Sequence, residues 1–89
     1  MDFDWDRNKA ASNLQKQGVH FADAVAVFED DQAVTVEDDA PDEERFITIG
    51  QDMLGRILVV VYSWRVDRIR VISARLATPR ERRQYEGEL

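Results

Sequence analysis

Apolar residues along this chain change their spacing in a way that separates helices from strands. Asp6 precedes a stretch with Ala10 and Leu14 at helical spacing, so it is read as the N-cap of a first helix running to Gln17. Gly18 then supplies the left-handed residue that ends a helix, and Val19 is placed to touch Leu14. Phe21, Val25 and Phe28 recur at i, i+4 and i+7, which predicts a second short helix stopped by the acids Glu29, Asp30 and Asp31. From there the repeat shortens to two. Residues 33–36, 45–49, 57–64 and 68–73 read as strands, the third apolar on both faces and therefore central. Val66 and Asp67 mark a tight reversal between the last two. Thr78-Pro79-Arg80-Glu81 is a capping box with proline at the first helical position, so a final helix continues through Arg82, Arg83 and Tyr85.

The predicted order is two N-terminal helices, a four-stranded antiparallel sheet and a C-terminal helix, an α+β fold. Short links between successive strands favour the antiparallel meander. The 89 residues suffice for one hydrophobic core and not two, so residues 1–89 are read as a single domain. The acidic, proline-containing stretch at residues 37–44 reads as a solvated connection.

Charge changes this picture. The net value is −6, yet the two halves differ in sign. Up to Glu44, 13 acids face 3 basic residues; from Arg45 onward, 9 arginines face 5 acids. The second half carries no lysine, and arginine is the cation suited to two-point contact with phosphate or carboxylate. With no cysteine and only His20, thiolate and zinc sites are excluded, and the acid clusters lack the regular spacing of a calcium loop. Metal and cofactor are therefore not expected. The acidic start is unlike a signal peptide, and the longest apolar run, residues 57–62, is too short to span a bilayer. A cytoplasmic location with no membrane contact is expected.

The arginines concentrate near the last hairpin. Arg68 and Arg70 share a strand face, and a turn at Val66-Asp67 sets Arg65 opposite Arg68, with Arg75 further along. Like charges side by side are unfavourable unless anions answer them. Those anions are either RNA phosphates or the chain's own carboxylates, and composition alone leaves both readings open. Trp64 is either a base-stacking platform or core, Tyr62 reads as core with a bonded hydroxyl, and His20 is assigned no role.

Several segments, in this order, resemble the BrnT family, the toxin half of a bacterial type II toxin–antitoxin pair. They are Phe3-Asp4-Trp5-Asp6, Lys9-Ala10-Ala11-Ser12-Asn13-Leu14, Gly18-Val19-His20-Phe21-Ala22-Asp23-Ala24 and Val27-Phe28-Glu29-Asp30. Glu43-Glu44-Arg45, Val59-Val60-Val61-Tyr62, Arg65, Ile69-Arg70-Val71-Ile72-Ser73-Ala74-Arg75, Ala77-Thr78, Glu81-Arg82 and Tyr85 complete the series. The resemblance implies a fold similar to RelE-type ribonuclease toxins and metal-independent endoribonuclease activity. It also implies a BrnA-like antitoxin as partner, through which DNA is contacted only indirectly.

Family arginine positions fall on Arg45, Arg65, Arg70, Arg75 and Arg82, with Tyr85 beside them. The corresponding reading gives Arg65 and Arg75 the catalytic role of stabilising charge on phosphate. Arg45, Arg68, Arg70, Arg82 and Tyr85 hold the RNA. Arginine is a poor base, so Glu44 or Tyr85 would accept the proton. Two positions depart from the family pattern: Gln17 stands where a histidine is common, and Leu76 where a lysine often follows Arg75. Glutamine cannot titrate. A catalytically silent homologue, acting as a protein-binding co-repressor with its antitoxin, is the alternative.

Overall fold

The computed structural model describes residues 1–38 and 44–87, so part of the acidic connection, with Pro41, lies outside the described residues. In chain order the elements are β1 (Asp2–Asp4), α1 (Arg7–Gln17), α2 (Phe21–Ala24), a 3₁₀ segment (Val25–Glu29), β2 (Val34–Asp38), β3 (Arg45–Gln51), β4 (Ile57–Trp64), β5 (Arg68–Leu76) and α3 (Pro79–Tyr85). The helix boundaries follow the local signals. Asp6 accepts hydrogen bonds from the Asn8 and Lys9 amides, Gly18 closes α1 at φ +68°, and Thr78 and Glu81 form both bonds of the capping box.

The sheet has five strands in the order β1-β5-β4-β3-β2, with β1 parallel to β5 and every other pair antiparallel. The expected four-stranded antiparallel sheet is thus corrected to a mixed one. A strand of three residues is too short to show a period of two, and its partner lies at the other end of the chain. The last strand also runs three residues past the expected 73, to Leu76. Within the second helical stretch the fully buried residues are Phe21, Ala24 and Val27, three apart, because the tighter 3₁₀ turn places every third residue on one side. Val25 and Phe28 pack against this core partly buried.

Strand alternation gives the sheet two unlike faces. The first carries Leu58, Val60 and Tyr62 of β4 with Ile69, Val71 and Ala74 of β5, and it is buried under Val19, Phe21, Ala24 and Val27. Tyr62 is core, as expected, and its hydroxyl shares a 2.9 Å hydrogen bond with Thr48. The Phe28 ring meets the edge of Tyr62 at 4.8 Å and stacks on Phe3 at 5.4 Å, so the short strand β1 is tied into the core through Phe3. A bulge in β5 opposite Val61 and Tyr62 adds Ile72 to that strand without a partner.

Asn13 secures α1 against the sheet. β1 covers β5 only from Arg68 to Arg70, so the outer edge of β5 beyond it lacks a neighbouring strand. The Asn13 amide takes that place: Nδ2 donates to the Ala74 carbonyl (2.9 Å) and the Val19 carbonyl (3.0 Å), and Oδ1 accepts from the Ala74 amide (3.1 Å). Asn13 is 8% exposed. Replacing it by alanine leaves buried backbone groups unpaired, and Asn13→Ala should lose about 2–4 kcal/mol in urea unfolding. An unchanged midpoint would mean that apolar contacts alone hold α1.

Candidate nucleic-acid interface

The second sheet face carries the arginines. β5 presents Arg68, Arg70 and Arg75 on it, β4 presents Arg65 with Ser63, Val61 and Val59, and β3 presents Arg45, Ile47 and Ile49. α3 is anchored at one end of this face. Arg75 binds Glu81 through both terminal guanidinium nitrogens, at 2.7 and 2.8 Å, and Tyr85 donates to Asp30 at 2.7 Å. Asp30 also accepts the Gln51 amide at the end of β3. The opposite end, around the β4–β5 hairpin, holds Arg65, Arg68, Arg70 and Arg45.

The hairpin turns as expected. Arg65 donates its amide to the Arg68 carbonyl at 2.8 Å, leaving Val66 and Asp67 at the tip. Arg65 is exposed, and its guanidinium meets no carboxylate among the described residues. Arg68 contacts Asp67 at 3.0 Å and Asp4 at 3.8 Å, while Arg70 lies 3.3 Å from Asp4. The chain's own acids therefore answer part of the cluster. Diagonal neighbours across an antiparallel pair are about 7–8 Å apart, so Arg65 and Arg70 can reach one phosphate. Arg75 pairs with Val59, six residues along β4 from Arg65, or roughly 20 Å away at the strand repeat. Arg65 and Arg75 do not converge.

The remaining candidates divide between the two ends. Arg45 begins β3 beside the cluster, and Glu44, exposed, precedes it. Arg82 is exposed on α3 and Tyr85 ends that helix. Trp64 pairs with Ile69 on the helix-covered face and is half-exposed there, so it does not stack beside the arginines. Gln17 lines a shallow pocket of about 260 Å³ between α1 and β5 with Lys9, Lys16 and Ser73, and Leu76 pairs with Leu58. Neither departure from the family pattern touches the hairpin cluster. No three His, Asp or Glu side chains gather into a metal site among the described residues.

Two residues escaped the reading from sequence alone. Asp4 looked like part of an acidic start, but parallel pairing sets it beside Arg70. Ser63, buried between Tyr62 and Trp64, faces the arginines; only its alternation with Tyr62 hinted at this.

The family model for the ribonuclease toxin BrnT of the type II toxin–antitoxin system matches residues 5–81. The chain belongs to the BrnT family. It is similar to the crystal structure of the Brucella abortus ribonuclease toxin BrnT, with 25% sequence identity, a TM-score of 0.64, and coverage of 86% of this chain and 99% of that one. No curated protein matches its sequence. No helix among the described residues is long and apolar enough to cross a membrane.

Electrostatics within this BrnT-family fold separate anchors from free groups. The hydrogen bonds from Arg75 hold the Glu81 carboxyl down at about 2 and push the Arg75 pKa up. The hydrogen bond to Asp30 pushes the Tyr85 hydroxyl up to about 12, so it remains protonated at neutral pH. A carboxylate depressed by folding adds stability above its unfolded pKa, near 4.5 here, and loses it as pH falls towards the folded value. Because Arg75 is 41% exposed, the contribution is discounted to on the order of 1 kcal/mol. Wild type should therefore exceed Glu81→Gln in stability at pH 7, with the gap closing between about pH 4.5 and 2. A gap independent of pH in denaturant titrations would exclude the ion pair as its source.

Proposed function

We propose that this chain is a metal-independent endoribonuclease toxin that cuts RNA on the exposed end of its second sheet face and is silenced by a BrnA-like antitoxin. One observation carries the reading. Arg65, Arg68, Arg70 and Arg45 collect at one end of the sheet face, where no described helix covers it, although the chain as a whole is acidic. Family membership supplies the reaction class.

The chemistry needs no metal because the RNA provides its own nucleophile. The 2′-hydroxyl attacks the adjacent phosphorus, the P–O5′ bond breaks, and a 2′,3′-cyclic phosphate and a 5′-hydroxyl result. Negative charge builds on the nonbridging oxygens, where guanidinium donors stabilise it. Arg65, whose guanidinium meets no carboxylate among the described residues, takes the catalytic role together with Arg70, its diagonal neighbour. Arg45 and Arg68 hold the flanking backbone, and Arg82 extends that track along α3. Arg75, given the second catalytic role on sequence, serves here as the anchor of α3, since Glu81 already occupies both of its terminal nitrogens. Tyr85, protonated and bound to Asp30, takes no proton at neutral pH; of the two residues considered, this leaves Glu44 as the acceptor.

The antitoxin would cover the same patch, whose floor includes Val36, 42% exposed, with Ile47 and Val61 partly buried beside it. An acidic or apolar segment laid there excludes RNA without any change in the toxin. DNA is reached only through the antitoxin, since affinity for duplex DNA depends on phosphate neutralisation and this chain is net acidic.

RNA cleavage by the purified chain in EDTA tests the proposal. Removing one donor to a developing oxyanion lowers turnover by roughly 100–1000-fold, so Arg65→Ala and Arg70→Ala should fall in that range with their circular dichroism unchanged. Full activity in Arg65→Ala would take that residue out of the mechanism. A folded wild type that leaves RNA intact would favour the silent co-repressor instead.

A further inference from the structure

A single transverse row crosses all five strands on the arginine-bearing face. Asp4 of β1 pairs with Arg70 of β5, and Arg70 pairs with Ser63 of β4. The pairing of Phe46 with Tyr62 carries the register one step further, setting Arg45 of β3 beside Ser63, and Arg45 pairs with Asp38 of β2. The row therefore reads acid, guanidinium, hydroxyl, guanidinium, acid.

Its centre is unusual. Ser63 is 4% exposed, and its Oγ has no hydrogen-bond partner among the described residues. A buried hydroxyl left unpaired is unfavourable, and alanine or valine would fill the same strand position without that penalty. Asp4 Oδ1 is likewise buried without a hydrogen bond, although Arg70 Nη1 stands 3.3 Å away. Arg70 is held near Asp4 by charge, and among the described residues its side chain donates no hydrogen bond. An unpaired hydroxyl thus sits beside a guanidinium whose donors are not engaged.

We infer that Ser63 contacts the substrate, its Oγ–H donating to a nonbridging oxygen of an RNA phosphate held between the guanidiniums of Arg70 and Arg45. The inference rests on the ribonuclease reading and deepens it. Neighbouring strands are about 4.8 Å apart, so the two arginine backbones lie roughly 10 Å from one another with the serine midway. Each of the two nonbridging oxygens of an RNA phosphodiester accepts more than one hydrogen bond, so together they can meet both guanidiniums and the hydroxyl beneath them. In the free protein the flanking side chains of the row shield Oγ. Arg70, 35% exposed, can swing from Asp4 to the phosphate. At the two ends of the row Asp4 stands 3.3 Å from Arg70, and Asp38 is the register partner of Arg45.

The test compares wild type, Ser63→Ala and Ser63→Thr for affinity towards a short, fully 2′-O-methylated RNA that cannot be cleaved, and for the rate of cleaving the same sequence as RNA. A hydrogen bond to a charged acceptor leads us to expect about tenfold weaker binding in Ser63→Ala, with at least that loss in cleavage rate. Ser63→Thr, which keeps the hydroxyl, should stay within about threefold of wild type. The melting temperature of Ser63→Ala should equal or exceed that of wild type, because the methyl group leaves nothing unpaired, so a binding loss is not a folding loss. Wild-type affinity in Ser63→Ala overturns the inference, as does a wild type that does not bind the methylated RNA. A wild type that binds it through Ser63 but cleaves no RNA sinks the ribonuclease reading and leaves the Ser63 contact standing.

Discussion

β1 is three residues long, and the strand beside it is nine, so most of the outer edge of β5 would be bare backbone without another partner. Asn13 meets that constraint by making its side-chain amide behave as a strand residue. It donates to and accepts from Ala74 while a further bond reaches the Val19 carbonyl just past the end of α1. One side chain thus closes a sheet edge, fixes the helix along it and sets the direction in which the chain leaves Gly18 for α2. Phe21, Ala24 and Val27 then cover the first sheet face in the positions that this departure allows. An exposed edge is also where foreign strands add, so the same amide guards against misassembly.

With one face filled by helices, the arginines of the central strands are directed to the other, and the hydroxyls of Thr48 and Tyr62, which stay on the helix-covered side, bond each other. Strand alternation leaves no freedom: Tyr62 and Val60 inward require Ser63 and Val61 outward, and Ile69 and Val71 inward require Arg70 outward. The core therefore positions the arginines. The bulge at Ile72 modifies this rule at one place, letting Val71 and Ala74 both face the core although they are three residues apart. Without that extra residue, Arg75 would turn towards the core and could not meet Glu81 on the far side.

Much of this was legible in the sequence because the signals were local. Asp6, Gly18 and the Thr78–Glu81 box each act within a few residues, and their helix ends stand where expected. The hairpin at Val66-Asp67 and the grouping of Arg65, Arg68 and Arg70 follow from alternation and one tight turn. What escaped was long-range. No local pattern marks Asp2–Asp4 as a strand, because its partner is more than sixty residues away. For the same reason no local pattern singles out the places that Asp4, Ser63 and Asn13 take in the fold. Arg75 shows the limit in the other direction: residue type identified it as a phosphate ligand, but only the folded position of Glu81 shows that its terminal nitrogens are engaged.

The division of charge between the two halves of the chain takes on a structural meaning in this fold. Two acids of the first half, Asp4 and Asp38, flank the arginines of the second half from the two edge strands. Carboxylates placed there would cancel an RNA-binding site if they met the guanidiniums in full two-point bonds, as Glu81 does with Arg75. Asp4 instead stands off at 3.3 Å from Arg70 and 3.8 Å from Arg68, while Arg68 donates to both oxygens of Asp67 at the hairpin tip. Two-point pairing with Glu81 fixes Arg75 beside α3, whereas Arg70 is held near Asp4 by charge alone. What separates Arg75 from Arg70 is hydrogen-bond alignment with a carboxylate, which residue identity does not reveal.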